Sequence, residues 1–251
     1  MADVISHGDI GLATLLAFVR FSAFFLIAPI PGNGAPPTAR VALAAGVAWA
    51  MAPGSASSMV GVSLVGAAVV EIVIGLAMGF MLTMVINAFL MGGEAVGHQM
   101  GLSSPSFIDP RLPGQYTVMG GAFFFLTLAI FALSGGPGRM LVLLYRSLEF
   151  VPPGGPFAPP NVLEMAQVSG SVMFLTAVQA AAPMIASVFA AQMLLAVLAR
   201  AVPTMNLFIE GPGLTVAAGV IGLIASVHTF APLVDAVFIE RMENLARWLL
   251  M

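Results

Sequence analysis

The sequence predicts an all-α membrane protein of about six long helices, partly kinked by proline and glycine. Three observations predict it. Hydrophobic residues make up 60% of the 251, charged residues only 8%, and the mean hydropathy is +1.05. Soluble domains carry about 25% charged residues, and a soluble chain of this length cannot bury so much apolar surface while keeping a polar exterior. The apolar residues also fall into long runs punctuated by Pro and Gly, and none of the runs reads convincingly as a strand.

Taken in order, Ile10 to Ala28 is a first helix, stopped by Pro29-Ile30-Pro31-Gly32. Pro36-Pro37-Thr38 opens a second, which Pro53-Gly54 closes; at about 14 residues it is short of the roughly 20 that a span needs. A long apolar run follows from Val60 to Met100, then a polar, proline-rich segment from Leu102 to Gln115. Tyr116 to Leu133 is the next helix, broken by Gly135-Gly136-Pro137-Gly138 and resumed from Arg139 to Phe150. Pro152 to Pro160 is a linker, and Glu164 to Arg200 is a long helix containing Pro183. Pro203 and Gly211-Pro212-Gly213 form a break before a last helix from Leu214 to Leu250. No linker has the look of a soluble-domain boundary and no repeat is visible, so residues 1–251 read as one membrane domain.

The charge pattern excludes several functions. All eight basic residues are Arg, the net charge is -3, and no basic cluster suggests nucleic acid. The absence of Cys removes disulfides, thiolate metal sites and cysteine catalysis. There is no HExxH, GxSxG or P-loop and no metal-ligand spacing, so no catalytic residue, cofactor or metal is expected. Met1 to Asp9 lacks the positive region of a cleavable signal, which makes the first apolar run a retained helix. The N-terminal flank is acidic and the C-terminal flank carries Arg241 and Arg247, so the positive-inside rule places the C-terminus in the cytoplasm.

Four constellations stand out. On a helical wheel with Glu71 at zero, Gly75 and Gly93 fall near 40°, Gly79 and Gly97 near 80° and Gly101 near 120°, all about these values at 100° per residue. Small residues in such a stripe allow close helix approach in lipid, and a contact between subunits is expected there. Glu94 and His98 stand at i, i+4 beside the stripe with Asn87 near in angle, and Glu71 lies inside an apolar run. Ionisable groups at membrane depth are costly and point to function, although Glu94 and His98 could equally satisfy each other or face a wet interior. Pro203 interrupts backbone hydrogen bonding, and Arg200 and Asn206 carry donors that could hold that break, unless Arg200 reaches to the headgroups instead. The fourth is the segment Ser103, Ser104, Pro105, Ser106, Phe107, Ile108, Asp109, Pro110, Arg111, Leu112, Pro113, Gly114 and Gln115, whose prolines prevent a helix. Irregular backbone of this kind is tolerated only inside protein or against water.

Several of these motifs together resemble one family. Gly97-His98-Gln99-Met100-Gly101-Leu102, then Asp109-Pro110, then Gly114-Gln115 resembles the G-x-Q-M-G-L…D-P…G-G-Q signature of the FliR family, whose injectisome relatives are called SctT. Arg200-Ala201-Val202-Pro203-Thr204-Met205-Asn206-Leu207-Phe208 resembles its R-x-x-P-x-x-N-x-F segment, and Arg20, Ala28-Pro29, Pro37 and Arg40 are similar to its opening pattern. Glu210, Gly211-Pro212-Gly213-Leu214 and Pro105 depart from the family pattern. The resemblance implies a non-enzymatic subunit of the type III protein export gate, built of tilted helical hairpins in the bacterial inner membrane at the flagellar basal body. It implies assembly with FliP, FliQ and FlhB-like proteins among membrane lipids, with unfolded export substrates in transit. It also implies that the Ser103–Gln115 segment is the channel plug. The Gln-Met-Gly-Leu wording leans to the flagellar branch over the injectisome. A secondary transporter or small-solute channel would instead show clustered intramembrane charges and repeated halves, and a pure assembly scaffold would need no plug.

Overall fold

Several helices in this chain begin or end at a proline or at a glycine of positive φ. The computed structural model describes residues 7–30, 35–51, 63–102, 116–155, 162–201 and 207–250. They form seven α-helices: α1 (His7–Ile27), α2 (Pro37–Met51), α3 (Leu64–Gln99), α4 (Val118–Leu133), α5 (Gly136–Phe150), α6 (Val162–Ala201) and α7 (Leu207–Leu250). No strand occurs among the described residues, and the all-α class expected from composition is the one found. Three helices are long and apolar enough to cross a membrane, namely α3, Gln167–Ala201 of α6 and Gly211–Leu245 of α7. The pair α4 and α5 makes a fourth if it counts as one broken span. The chain is an integral membrane protein.

Most boundaries follow the punctuation. Pro37 opens α2, where the N–H it lacks is not needed. α3 runs 36 residues without a break, about 54 Å at 1.5 Å per residue. α6 continues through Pro183. Two boundaries differ. The Gly135-Gly136-Pro137-Gly138 break is narrower than expected: Gly135 takes φ 79°, and α5 begins at Gly136 with Pro137 in its first turn. Proline's fixed φ suits that turn. Gly211-Pro212-Gly213 is no break at all, since α7 starts at Leu207 and runs through Pro212 and Pro232. A proline near a helix start removes one hydrogen bond while keeping helical φ. Thr215 Oγ1 lies within bonding distance of the Gly211 and Pro212 carbonyls, at 3.3 and 3.1 Å.

By contacts the chain divides into two compact units. One comprises Met1–Met84, Gly135–Ser169 and Phe238–Met251; the other comprises Val85–Ser134 and Gly170–Val237.

In the first unit α1 and α3 run parallel. Glu71 meets Arg20, the missing side chains of Gly75 and Gly79 make room for the Arg20 and Phe24 carbonyls, and Thr83 Oγ1 donates to the Ile27 carbonyl at 2.7 Å. Arg40 donates to the Leu26 carbonyl at 3.0 Å, so side chains satisfy the last carbonyls of α1. Phe21, Phe24, Phe25, Ile74, Met78 and Leu82 are fully buried there.

In the second unit α6 and α7 form an antiparallel hairpin. Met184 and Ser187 face Gly222, Ser187 Oγ donates to the Ala218 carbonyl at 3.0 Å, and Leu195 faces Gly211. Phe230 of α7 packs on Phe89 of α3 and Phe123 of α4, with ring centroids 5.2 and 5.0 Å apart. Such aromatic pairs add about 0.5–1.5 kcal/mol each beyond area burial.

Candidate functional site

The last turn of α3 leaves four carbonyls without helical partners, and each one is met. Gly101 adopts φ 78°, which glycine tolerates without a Cβ penalty. Its N–H then donates to His98 O at 3.1 Å, and Leu102 N–H donates to Gly97 O at 2.9 Å. Gln192 Nε2 of α6 donates to Gln99 O at 3.1 Å, and Thr215 Oγ1 of α7 lies 3.1 Å from Met100 O. The end of α3 is thus fixed by α6 and α7 before the chain leaves it.

The chain returns to the same turn. Thr117 caps the N-terminus of α4, its Oγ1 accepting from Gly120 N–H at 2.9 Å. Glu94 Oε1 accepts the Thr117 N–H at 2.7 Å and lies 3.3 Å from Thr117 Oγ1. A carboxylate beside a helix N-terminus is favoured by the positive end of the helix dipole. Two glycines make the approach possible. A Cβ on Gly97 would overlap the Thr117 side chain, and one on Gly120 would overlap the Glu94 carboxylate. His98 Nε2 stands 3.8 Å from Glu94 Oε2, more exposed than its neighbour. Leu102 and Thr117, the described residues on either side of 103–115, therefore both rest on Gly97.

The second polar cluster is buried. Arg20 and Glu71 are 0% and 1% exposed, which is tolerable because each guanidinium nitrogen and each carboxylate oxygen has a partner. Arg20 Nε donates to Glu71 Oε2 at 2.5 Å, and its terminal nitrogens donate to Ser147 O at 2.6 Å and Val151 O at 2.8 Å. Glu71 Oε1 accepts from Gly154 N–H at 3.1 Å. The guanidinium thus caps the C-terminal carbonyls of α5 while the carboxylate holds the following turn.

Of the residues singled out in the sequence, Gly75, Gly79, Gly93 and Gly97 make their close approaches to helices of the same chain. Gly75 and Gly79 lie against α1, a Cβ on Gly93 would come 2.7 Å from Met119 O, and Gly97 lies against Thr117. Gly101 ends the helix, with open space where its Cβ would be. Arg200 lies exposed in the last turn of α6. Pro203, Asn206 and the whole of Ser103–Gln115 lie outside the described residues. The sequence reading missed Thr117 and Gly120 as partners of Glu94, and it missed the pairing of Arg20 with Glu71. Opposite charges inside two apolar runs were the signal for the second pair; Thr117 carried no signal beyond standing before a helix. Among the described residues no group of His, Asp and Glu could hold a metal ion.

Comparison with known proteins accords with this architecture. Residues 12–240 match the family model of the bacterial export proteins, family 1. The chain is 30% identical over 250 residues to the flagellar biosynthetic protein FliR of Bacillus subtilis, covering 94% of this chain and 95% of that one. It is 29% identical over 232 residues to FliR of Escherichia coli, covering 91% and 89%. The Yop proteins translocation protein T of Yersinia pestis is 28% identical over 141 residues, covering 55% and 54%. With its helical membrane fold and a family match spanning nearly all of its length, the chain belongs to the bacterial export proteins, family 1, the family of FliR and its secretion-system relatives.

Proposed function

We propose that the chain is a core, non-enzymatic subunit of the flagellar type III protein export gate. In this reading residues 1–251 act as one membrane domain in the bacterial plasma membrane at the flagellar basal body, with the C-terminus in the cytoplasm. With FliP, FliQ and an FlhB-like protein the chain forms the channel for unfolded export substrates, and Ser103–Gln115 is its plug. The observation that carries the reading is the shared root of that segment: Leu102 and Thr117 are both fastened at Gly97, on a helix end held by Gln192 and Thr215. A segment that must yield to a passing chain and return needs such a fixed base.

Two further facts support it. The apolar windows of α6 and α7 are only 22% and 28% buried, against 56% for α3, so both helices have apolar surface to offer to partners or lipid. The Bacillus and Escherichia relatives match over about nine-tenths of this chain and the Yersinia protein over about half, which favours a flagellar over an injectisome role. Purification of the tagged chain from native membranes, followed by mass spectrometry of the intact complex, tests the assignment. Small hydrophobic export-gate proteins should accompany it at fixed ratio. Recovery of the chain alone or as a homo-oligomer would favour a solute carrier.

A further inference from the structure

In its middle turns α7 presents two unlike sides. At about 100° per residue, Thr215, Gly219 and Gly222 share one side, and Val220, Ile221, Ile224 and Val227 fall on the other. The first side is gripped by the chain itself. Thr215 Oγ1 lies 3.1 Å from Met100 O at the end of α3, a Cβ on Gly219 would overlap the Met100 thioether, and one on Gly222 would overlap Ser187 and Met184 of α6. The second side is open, its four residues being 42% to 66% exposed.

Thr215 stands between two arrangements. Its hydroxyl has one proton to donate, yet three carbonyls are within reach. Met100 O is the one outside its helix; Gly211 O at 3.3 Å and Pro212 O at 3.1 Å belong to α7. Donation to Met100 O ties α7 to the end of α3. Donation back along α7 keeps this buried hydroxyl satisfied and releases α3. Pro212 lacks an N–H for the helical ladder, so the turn before Thr215 is where this part of α7 bends most easily. A push or pull on the open side moves α7 along the line that joins Thr215 to Met100.

We propose that Thr215 is a positioning residue that holds the export channel shut. Its bond to Met100 O keeps the end of α3 in the closed arrangement, and a shift of α7 that returns the proton to Gly211 O or Pro212 O lets that end move. This rests on the export-gate role proposed above.

Ion passage through the assembled complex in lipid vesicles tests it, with a deletion of Ser104 to Gly114 measured alongside. Thr215→Val keeps the shape of the side chain and removes the donor. That complex should assemble and leak about fivefold more than the wild type, as expected when the closed state loses one neutral hydrogen bond. Thr215→Ala, which lacks both donor and bulk, should leak at least as much. Thr215→Ser restores the donor and should stay as tight as the wild type. A Thr215→Val complex as tight as the wild type would overturn the proposal, as would a Thr215→Ser complex that leaks as much as Thr215→Val. Failure of both donorless variants to assemble would make the hydroxyl a folding element and overturn it too. The deletion separates this claim from the plug. A leaking deletion beside a tight Thr215→Val complex removes Thr215 from the seal and leaves 103–115 in it; a tight deletion beside a leaking Thr215→Val complex does the reverse.

Discussion

Glu94 is held at one atom by a backbone N–H and is tightly enclosed by a glycine, which makes it unusually easy to test. Gly120→Ala places a methyl group on the Glu94 carboxylate, whereas Gly121→Ala meets nothing within 4 Å. Displacing the carboxylate from Thr117 should lower stability by about 1–3 kcal/mol, the cost of an abandoned charge-assisted bond. Gly121→Ala should be neutral or slightly stabilising through helix propensity. Thermal unfolding of the two purified variants in detergent checks this, and equal behaviour would remove Glu94 from its assigned role. The Arg20–Glu71 pair predicts a different pattern. Losing one partner strands a buried charge, so Arg20→Leu or Glu71→Gln should each cost about 3–5 kcal/mol. The double change Arg20→Met with Glu71→Leu should recover only part of it, because no charge is left unpaired while the Ser147 and Val151 carbonyls and the Gly154 N–H lose their partners. If the double variant is no more stable than the singles, the pair is not the source of the loss.

At the level of helices, four glycines of the stripe, Gly75, Gly79, Gly93 and Gly97, lie close to other parts of the same chain. Gly97→Leu should collide with Thr117 and loosen the α3–α4 junction of the isolated subunit, lowering its unfolding temperature before any partner is present. An unchanged isolated chain that releases its partners would instead locate the stripe at a subunit contact. Arg200→Leu is the matching test of the break after α6: normal assembly and export would show that Arg200 has no structural part in it. Most helices were legible in the sequence because Pro37, Thr117 and Gly101 end or begin helices through local chemistry. Gly211-Pro212-Gly213 misled because proline is tolerated near a helix start, and Pro232 passed unremarked though it lies within α7. The stripe of small residues was readable by angle. The helices that fill it were not, since Gly75 meets α1 and Gly93 meets α4, contacts between residues far apart in the sequence.

For the whole molecule, composition already announced surplus apolar surface, and the fold shows which helices keep it. α6 and α7 bury about a quarter of their apolar windows within the chain, so they carry much of what lipid or other subunits must cover. The position of the 103–115 roots was beyond the sequence, because it depends on Glu94 and Gly97 meeting Thr117 across the segment they bracket. Those roots carry the central claim that the segment closes an export channel, and one measurement tests it most directly. Ser104 to Gly114 are deleted, the complex is assembled with its partners in lipid vesicles, and the passage of ions or small solutes is recorded beside the intact complex. A complex that assembles normally and leaks well above the intact one is the expected result. A complex that assembles without those residues and stays as tight as the intact one would contradict the claim.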